Sequence, residues 1–348
     1  MNLTEPTYLA KINAHERDSH VIFDEGPHIY TVDGDSSFTS VTTWNHSHFG
    51  HFDADKIIDN MMNGKNWKPG YKYYGMTKDE IKAVWDKNRD ESAAAGTKMH
   101  YDIECYYNLM EIENDSIEFK WFLQFDDWVK RETNMLPYRT EMIVWDKELK
   151  LCGSIDMMYM NECGEIELYD WKRCKEIKKT SWDKYSTTEC ISHLPDSNYW
   201  HYSLQLNTYK YMLEKNYGLK VNGMYLVCLH PNNKTKTFMK IKVPLLEDEI
   251  KDLMALKLKM VEEEKLKKSE EKAEEKAKKK VEKKETIWDL LEPVEKKKKN
   301  KECYVCKKTK GTKTYIVDQY LMGLEKYRYC KRCANIQLNN YYSKKGYY

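Results

Sequence analysis

The chain contains no apolar run long enough to cross a membrane, and residues 1–18 lack a secretory pattern. Neither a membrane-spanning helix nor export is therefore expected. Six cysteines in the first 256 residues (Cys105, Cys152, Cys163, Cys174, Cys190 and Cys228) show no paired spacing. With no signal segment, that argues against a disulfide framework and for free thiols in a reducing, intracellular compartment. Net charge is scarce too, at +2 over 348 residues, but the small total hides a partition. Residues 1–256 hold 31 Lys and Arg against 41 Asp and Glu, a balance of −10. Residues 257–300 hold 16 against 12, and residues 301–348 hold 11 against 3. Affinity for a polyanion would then come from local grooves and the basic tail, not from the field of the whole front.

Against this background one pair of segments carries most of the chemical information. Gly153-Ser154-Ile155-Asp156 is followed, fourteen positions after Asp156, by Asp170-Trp171-Lys172. Leu151 to Met160 is largely apolar, Asn161 to Gly164 is a turn cluster, and Glu165 to Trp171 alternates, so the pattern predicts a hairpin. Its geometry brings Asp156 and Asp170 to the same end of neighbouring strands. Two close carboxylates raise each other's pKa unless a cation lies between them. Hard oxygen ligands favour Mg²⁺ or Mn²⁺. Lys172 shares a strand face with Asp170, so one strand end presents two acids and an ammonium. This set suits metal-assisted attack of water on a phosphodiester.

Two helical segments flank the hairpin. Gly96-Thr97-Lys98-Met99-His100 lies in a predicted helix from about Lys87 to Met110, with Ala93, Ala94, Ala95, Met99, Ile103 and Tyr107 as its apolar stripe. His100 and Glu104 share one face of it. The second helix, Trp200 to Tyr217, carries Leu206, Tyr209, Leu213 and Tyr217 as a stripe and ends at Gly218, a C′ glycine. Gln205 and Tyr209 are one turn apart on it. Strands are also expected at Tyr138 to Trp145, which includes Glu141, at Gly223 to His230 and near Thr237 to Val243. A basic run beside the hairpin (Arg173, Lys175, Lys178, Lys179, Lys184) is interleaved with Trp171, Trp182 and Tyr185, which offer stacking surfaces for unpaired bases.

The order G-x-x-x-H, G-x-x-D, D-x-K, Q-x-x-x-Y resembles the PD-(D/E)XK nuclease superfamily, in its RecB and lambda-exonuclease-like branch. The likeness covers about Val21 to Val243. Ile155 stands where the family name has proline. His28 to Thr43 (H-I-Y-T-V-D-G, then S-V-T-T) is similar to members from large DNA viruses. The resemblance implies an α/β fold: a restriction-endonuclease-like mixed sheet flanked by helices. It implies a catalytic set of His100, Asp156, Asp170 and Lys172. The metal would be held by His100, Asp156, Asp170 and the Trp171 backbone carbonyl, with Glu104 and Glu141 as further candidates. Lys172 would orient or deprotonate the attacking water. Gln205, Tyr209, Arg173 and Lys175 would hold substrate. The implied activity is Mg²⁺-dependent hydrolysis of DNA from its ends, in replication, recombination or repair. A structure-specific endonuclease and a non-catalytic DNA-binding adaptor are the alternatives.

Residues 1–256 thus read as the nuclease domain and 257–300 as a Lys/Glu-rich linker, either helical from near Glu247 or a disordered tether. Ile287-Trp288-Asp289-Leu290-Leu291 interrupts the linker as an apolar island, suited to docking a partner or folding back. In residues 301–348, Cys303 and Cys306 are separated by 23 residues from Cys330 and Cys333. Two C-x-x-C pairs at that distance predict a four-thiolate Zn²⁺ module. The lysines, arginines and tyrosines around it fit contact with nucleic acid or with a protein.

Overall fold

The computed structural model describes residues 5–289, 292–293, 314–316, 328–330 and 336. The chain divides into two units, Met1–Val261 and Glu262–Tyr348. In the first, the short helix α1 (Tyr8–Ile12) precedes the antiparallel ribbon β1 (Val21–Asp24) and β2 (Ile29–Val32). The two-residue strand β3 (Thr39–Ser40) runs straight into α2 (Val41–His46), whose first turn is capped by the Ser40 hydroxyl accepting from the Thr43 amide. Then come α3 (Ala54–Met62), α4 (Lys78–Tyr107), α5 (Ile117–Glu132), β4 (Leu136–Asp146), β5 (Leu151–Met160), β6 (Ile166–Lys172), α6 (Asn198–Asn216), β7 (Val221–Cys228) and β8 (Met239–Lys242). The mixed α/β sheet expected from the sequence is present, flanked by the His100 and Gln205 helices.

The sheet forks at its centre. β5 pairs antiparallel with β4 along its whole length. Its other edge is divided: Leu151 and Cys152 pair in parallel with β3, whereas Met157 to Met160 pair antiparallel with β6. Gly153 to Asp156 therefore have a strand on one side only, and β6 leaves β5 after Tyr169 to run parallel with β7. The predicted hairpin turn is the cause of this register. Asn161 Oδ1 accepts from the Cys163 and Glu165 amides, and Gly164 takes the left-handed φ of +76°.

Side-chain alternation sorts β6 between two cores. Ile166 and Leu168 pack on the α6 side with Leu206, Tyr209 and Leu213. Tyr169 and Trp171 pack on the other side against Met99, Ile103 and Tyr107 of α4 and Phe122 and Phe125 of α5. Asp170 and Lys172 continue the parity of Leu168, which turns them towards α6. Trp171 is almost wholly buried, with edge contacts to Phe122 and Phe125 at 5.8 and 5.3 Å between centroids. Burial of a ring of this size contributes about 2–3 kcal/mol, and it anchors the strand end that carries the acids. It also corrects one expectation: Trp171 is a core residue and offers no surface to a base. Trp182 and Tyr185 are exposed.

Helix α4 begins earlier than the sequence pattern suggests, at a capping box in which Thr77 and Glu80 satisfy each other's amides. Asp86 to Ala94 are exposed throughout, including Ala93 and Ala94, which were expected in the apolar stripe. Alanine favours a helix without burial, so its periodicity misleads there. The stripe is real from Met99 on. Asn108 ends the helix: its amide donates to Glu104 O and Thr140 Oγ1 and its oxygen accepts from the Leu9 amide. α6 ends as expected before Gly218, at φ +66°. α7 (Glu247–Asp289) carries the Lys/Glu stretch in helical form as far as the start of the apolar island; Leu290 and Leu291 lie outside the described residues. In the second unit β9 (Glu292–Pro293), β10 (Thr314–Ile316) and β11 (Arg328–Cys330) pair antiparallel. Cys303, Cys306 and Cys333 lie outside the described residues, as does the zinc site they would form. The six front cysteines are free, and no described helix is long and apolar enough to cross a membrane.

Two glycines separate packing from helix propensity. A Cβ on Gly153 would sit 2.8 Å from the Tyr209 hydroxyl oxygen, on a ring fixed in the core, whereas one on Gly96 meets nothing within 4 Å. Gly153→Ala should lower stability by about 1–3 kcal/mol; Gly96→Ala should be neutral or stabilising by up to about 1 kcal/mol. Urea midpoints of the two variants test the contrast, and equal midpoints would contradict the close approach of Tyr209.

Candidate active site

The fork places charged groups where a strand is missing. The Trp171 amide, freed from the β5 ladder, donates to Asp156 Oδ2 at 2.8 Å. The Trp171 carbonyl accepts from His100 Nε2 at 2.9 Å. That bond assigns the proton to Nε2 and turns Nδ1 inward, 3.5 Å from Asp156 Oδ2 and 3.7 Å from Glu141 Oε1. His100, Glu141 and Asp156 thereby bring one ligand atom each within 4.8 Å of one another. Glu141 lies between the pairs Thr140–Met157 and Met142–Ile155, opposite Asp156. Its φ is +43°, a conformation costing a non-glycine residue about 1–3 kcal/mol, and Ser154 Oγ donates to its Oε2 at 2.7 Å.

Asp170 stands beside this trio. Its carboxylate is buried and lies 2.6 Å from Lys172 Nζ. Lys172 is thus the charge partner of Asp170 Oδ2 inside a buried site. The Lys172 ammonium also lies 4.4 Å from the centre of the Tyr202 ring. Burial alone would lower the basicity of Lys172, but Asp170 and Asp156 outweigh it and raise its pKa further. Lys172 is thus a fixed cation, which favours orienting and charge-balancing over proton abstraction.

The acids carry more negative charge than their neighbours offset. Burial, then the charges of Asp170 and Glu141, raise Asp156, with His100 opposing. Glu104 is pushed up to about 7 by burial and by Glu141. Burial would depress His100, but Asp156 and Glu141 bring it up to about 9. A cluster of buried carboxylates that holds protons towards neutrality, with a histidine ring nitrogen among them, fits a hard divalent cation. His100 Nδ1, Glu141 and Asp156 are the atoms already gathered to hold one, and Asp170 is adjacent.

Of these groups, His100, Asp156 and Lys172 line a cavity of about 460 Å³ in the fork. Ser40, Thr42 and His46 from the β3–α2 corner line it, as do Asn198, His201, Tyr202, Gln205 and Tyr209 of α6. Gln205 Nε2 donates to the Tyr209 hydroxyl at 3.4 Å; Tyr209 is buried and braces Gln205 more than it reaches outward. Arg173 and Lys175 do not enter this cavity. They line a separate groove with Ser92, Lys178 and His230, and Arg173 pairs with Glu118 at 2.7 Å. Sequence reasoning missed Ser154, His46 and His201. His201 had a signal: Asn198, His201 and Gln205 recur at three- and four-residue spacing, a polar stripe on a largely apolar helix. His201 Nε2 meets Asp196 Oδ1 at 2.9 Å, and its ring stands 5.5 Å from that of His46.

No family model matches the chain, and no curated protein matches it. One matching solved structure is described as the crystal structure of SSO0001. It is 13% identical, with a TM-score of 0.29 over 73% of this chain and 84% of that one. A likeness at that level carries no weight for fold or function.

The raised pKa values set a pH dependence. The folded chain holds protons that the unfolded chain has released, on Glu104 between 4.5 and about 7 and on His100 between 6.5 and about 9. Stability of the metal-free protein should therefore fall as pH rises from about 6.5 to about 9, whereas below 6.5 the burial-lowered His48 opposes the Glu104 effect, which the difference between wild type and Glu104→Gln isolates. Mn²⁺ must displace these protons, so it should raise Tm near pH 8 far more than near pH 5.5. Melting curves with and without Mn²⁺ measure both; a Mn²⁺ effect independent of pH would contradict binding at these groups.

Proposed function

We propose that this chain is a Mg²⁺- or Mn²⁺-dependent deoxyribonuclease that hydrolyses phosphodiester bonds at DNA ends. The observation that carries the reading is the convergence of His100, Glu141 and Asp156 within 4.8 Å, next to the Asp170–Lys172 pair, with His100, Asp156 and Lys172 lining one cavity. The motifs resemble those of PD-(D/E)XK nucleases, and preference for ends rests on that resemblance alone.

His100 Nδ1, Asp156 and Glu141 would hold the cation, with Asp170 beside them. When bound, it supplies positive charge and Lewis acidity for phosphodiester hydrolysis. The rest falls to the chain itself. Lys172, held charged by Asp170 and Asp156, offsets the negative charge that develops on the scissile phosphate. Its contact with Tyr202 limits the positions its ammonium can take. The bond from His100 to the Trp171 carbonyl fixes the imidazole tautomer and plane. Gln205 projects into the cavity from a helix packed across the fork and suits a contact to the sugar–phosphate backbone. The tail, in the same reading, holds one Zn²⁺ through Cys303, Cys306, Cys330 and Cys333.

End-labelled linear DNA should be degraded in Mg²⁺, spared in chelator, and closed circular DNA should stay whole. Cutting of circles would favour an endonuclease; cutting of neither would leave a DNA-binding adaptor. Asp170→Asn, which keeps shape and removes charge, should lower turnover by about 10²-fold or more at saturating Mg²⁺. Lys172→Ala should cost roughly 10²-fold in turnover with DNA binding nearly unchanged. Loss of binding with turnover preserved would make Lys172 a phosphate clamp instead. Elemental analysis of the reduced full chain should find one zinc, lost in Cys303→Ser.

A further inference from the structure

Residues 63–77, between α3 and α4, are unlike the rest of the front. This segment holds Lys65, Lys68 and Lys72, no acid, and the four rings Trp67, Tyr71, Tyr73 and Tyr74. In a front whose balance is −10, fifteen residues at +3 are a local reversal of sign. The rings gather into one cluster that includes a residue on either side. Trp67 lies 5.8 Å from Tyr71 and 5.9 Å from Tyr74, Tyr73 lies 6.2 Å from Trp85, and Trp85 lies 6.1 Å from Phe52. Phe52 is 63% exposed and Tyr74 47%. The cluster is thus an open aromatic surface, not a sealed core. Lys65 and Lys68 are exposed, and Lys72 sits 4.9 Å from the Tyr73 ring. Nearby acids on α3 are already engaged: Asp59 with Lys78 and Asp55 with Lys82.

We propose that this lysine-bearing aromatic cluster is a stacking platform for single-stranded nucleic acid. Flat rings left open beside ammonium groups that have no acidic partner among the described residues match unpaired bases on a polyanionic backbone, whereas a duplex hides its base faces. α4 supplies a path from the platform to the active site. Trp85 and Ser92 are seven residues apart and share a helix face, about 10 Å along the axis, and His100 lies about 12 Å further. At Ser92 the helix borders the groove lined by Arg173, Lys175, Glu176, Lys178 and His230, in which the basic groups outnumber the single acid. Rings, a basic groove and the acid cluster therefore succeed one another along one helix. The proposal rests on nucleic acid as the polymer read above but needs no catalysis.

Binding of labelled oligothymidylate to the full chain in chelator, by fluorescence anisotropy, tests it apart from cleavage. Wild type should bind, and Phe52→Ala/Tyr74→Ala should bind roughly tenfold or more weakly, with duplex affinity within about twofold. A second variant, Lys65→Gln/Lys68→Gln/Lys72→Gln, touches only exposed side chains and should flatten the salt dependence by about two units. The proposal fails if wild type does not bind the oligomer, if the ring variant binds it as wild type does, or if duplex affinity falls equally. Absence of cleavage in Mg²⁺ with these binding differences intact would remove the nuclease reading and leave the platform standing.

Discussion

Mutual repulsion among carboxylates in a poorly solvated cleft is the constraint on which the front of this protein turns. Asp156, Asp170, Glu141 and Glu104 converge on the point where the central sheet divides. Two cations of the chain's own, Lys172 and the imidazolium of His100, balance them only in part, and so Asp156 and Glu104 hold protons towards neutrality. A core of apolar residues would have cost less to fold. An acid excess kept there, on strands anchored by buried rings such as Trp171, is a set of groups that a bound cation would stabilise, as the proposed function requires.

The fork does more than expose the acids. Where β5 loses its neighbour, the Trp171 amide and carbonyl are no longer committed to a strand, and both are taken by active-site side chains, Asp156 and His100. The unpaired stretch of sheet thus becomes the frame that orients the cluster. Its cost in ladder bonds is met locally, which agrees with the rule that buried backbone groups find partners.

Much of this was legible in the sequence because it depends on short-range patterns. The turn at Asn161–Gly164 fixed the hairpin register, and the register brought Asp156 beside Asp170. His100 and Gln205 sat on helices whose stripes, at Met99–Ile103–Tyr107 and Leu206–Tyr209–Leu213, named the faces that pack. What escaped depends on backbone detail or long-range placement. Glu141 was named from the sequence only as a further candidate, because the left-handed φ that brings it into the trio inside a strand is not announced by residue type. Arg173 follows Lys172 directly in sequence, yet β6 ends at Lys172 and the chain then turns away. Of the four tail cysteines only Cys330 is among the described residues, so their C-x-x-C spacing is the sole ground for the zinc proposal.

The bare span of α4 has a separate consequence. From Asp86 to Ala94 the helix is exposed on every side, between Ile81, which is buried near its start, and Met99, which is buried against the sheet. Such a span works as a ruler with a fixed phase. Each residue gained or lost there would shift the aromatic head about 1.5 Å and rotate it by about 100° relative to His100. Apart from Ser92 at the groove, its side chains meet solvent or one another, so its residue count bears on the sheet and the aromatic head more than their identities do. The length of that segment is thus a structural quantity in its own right.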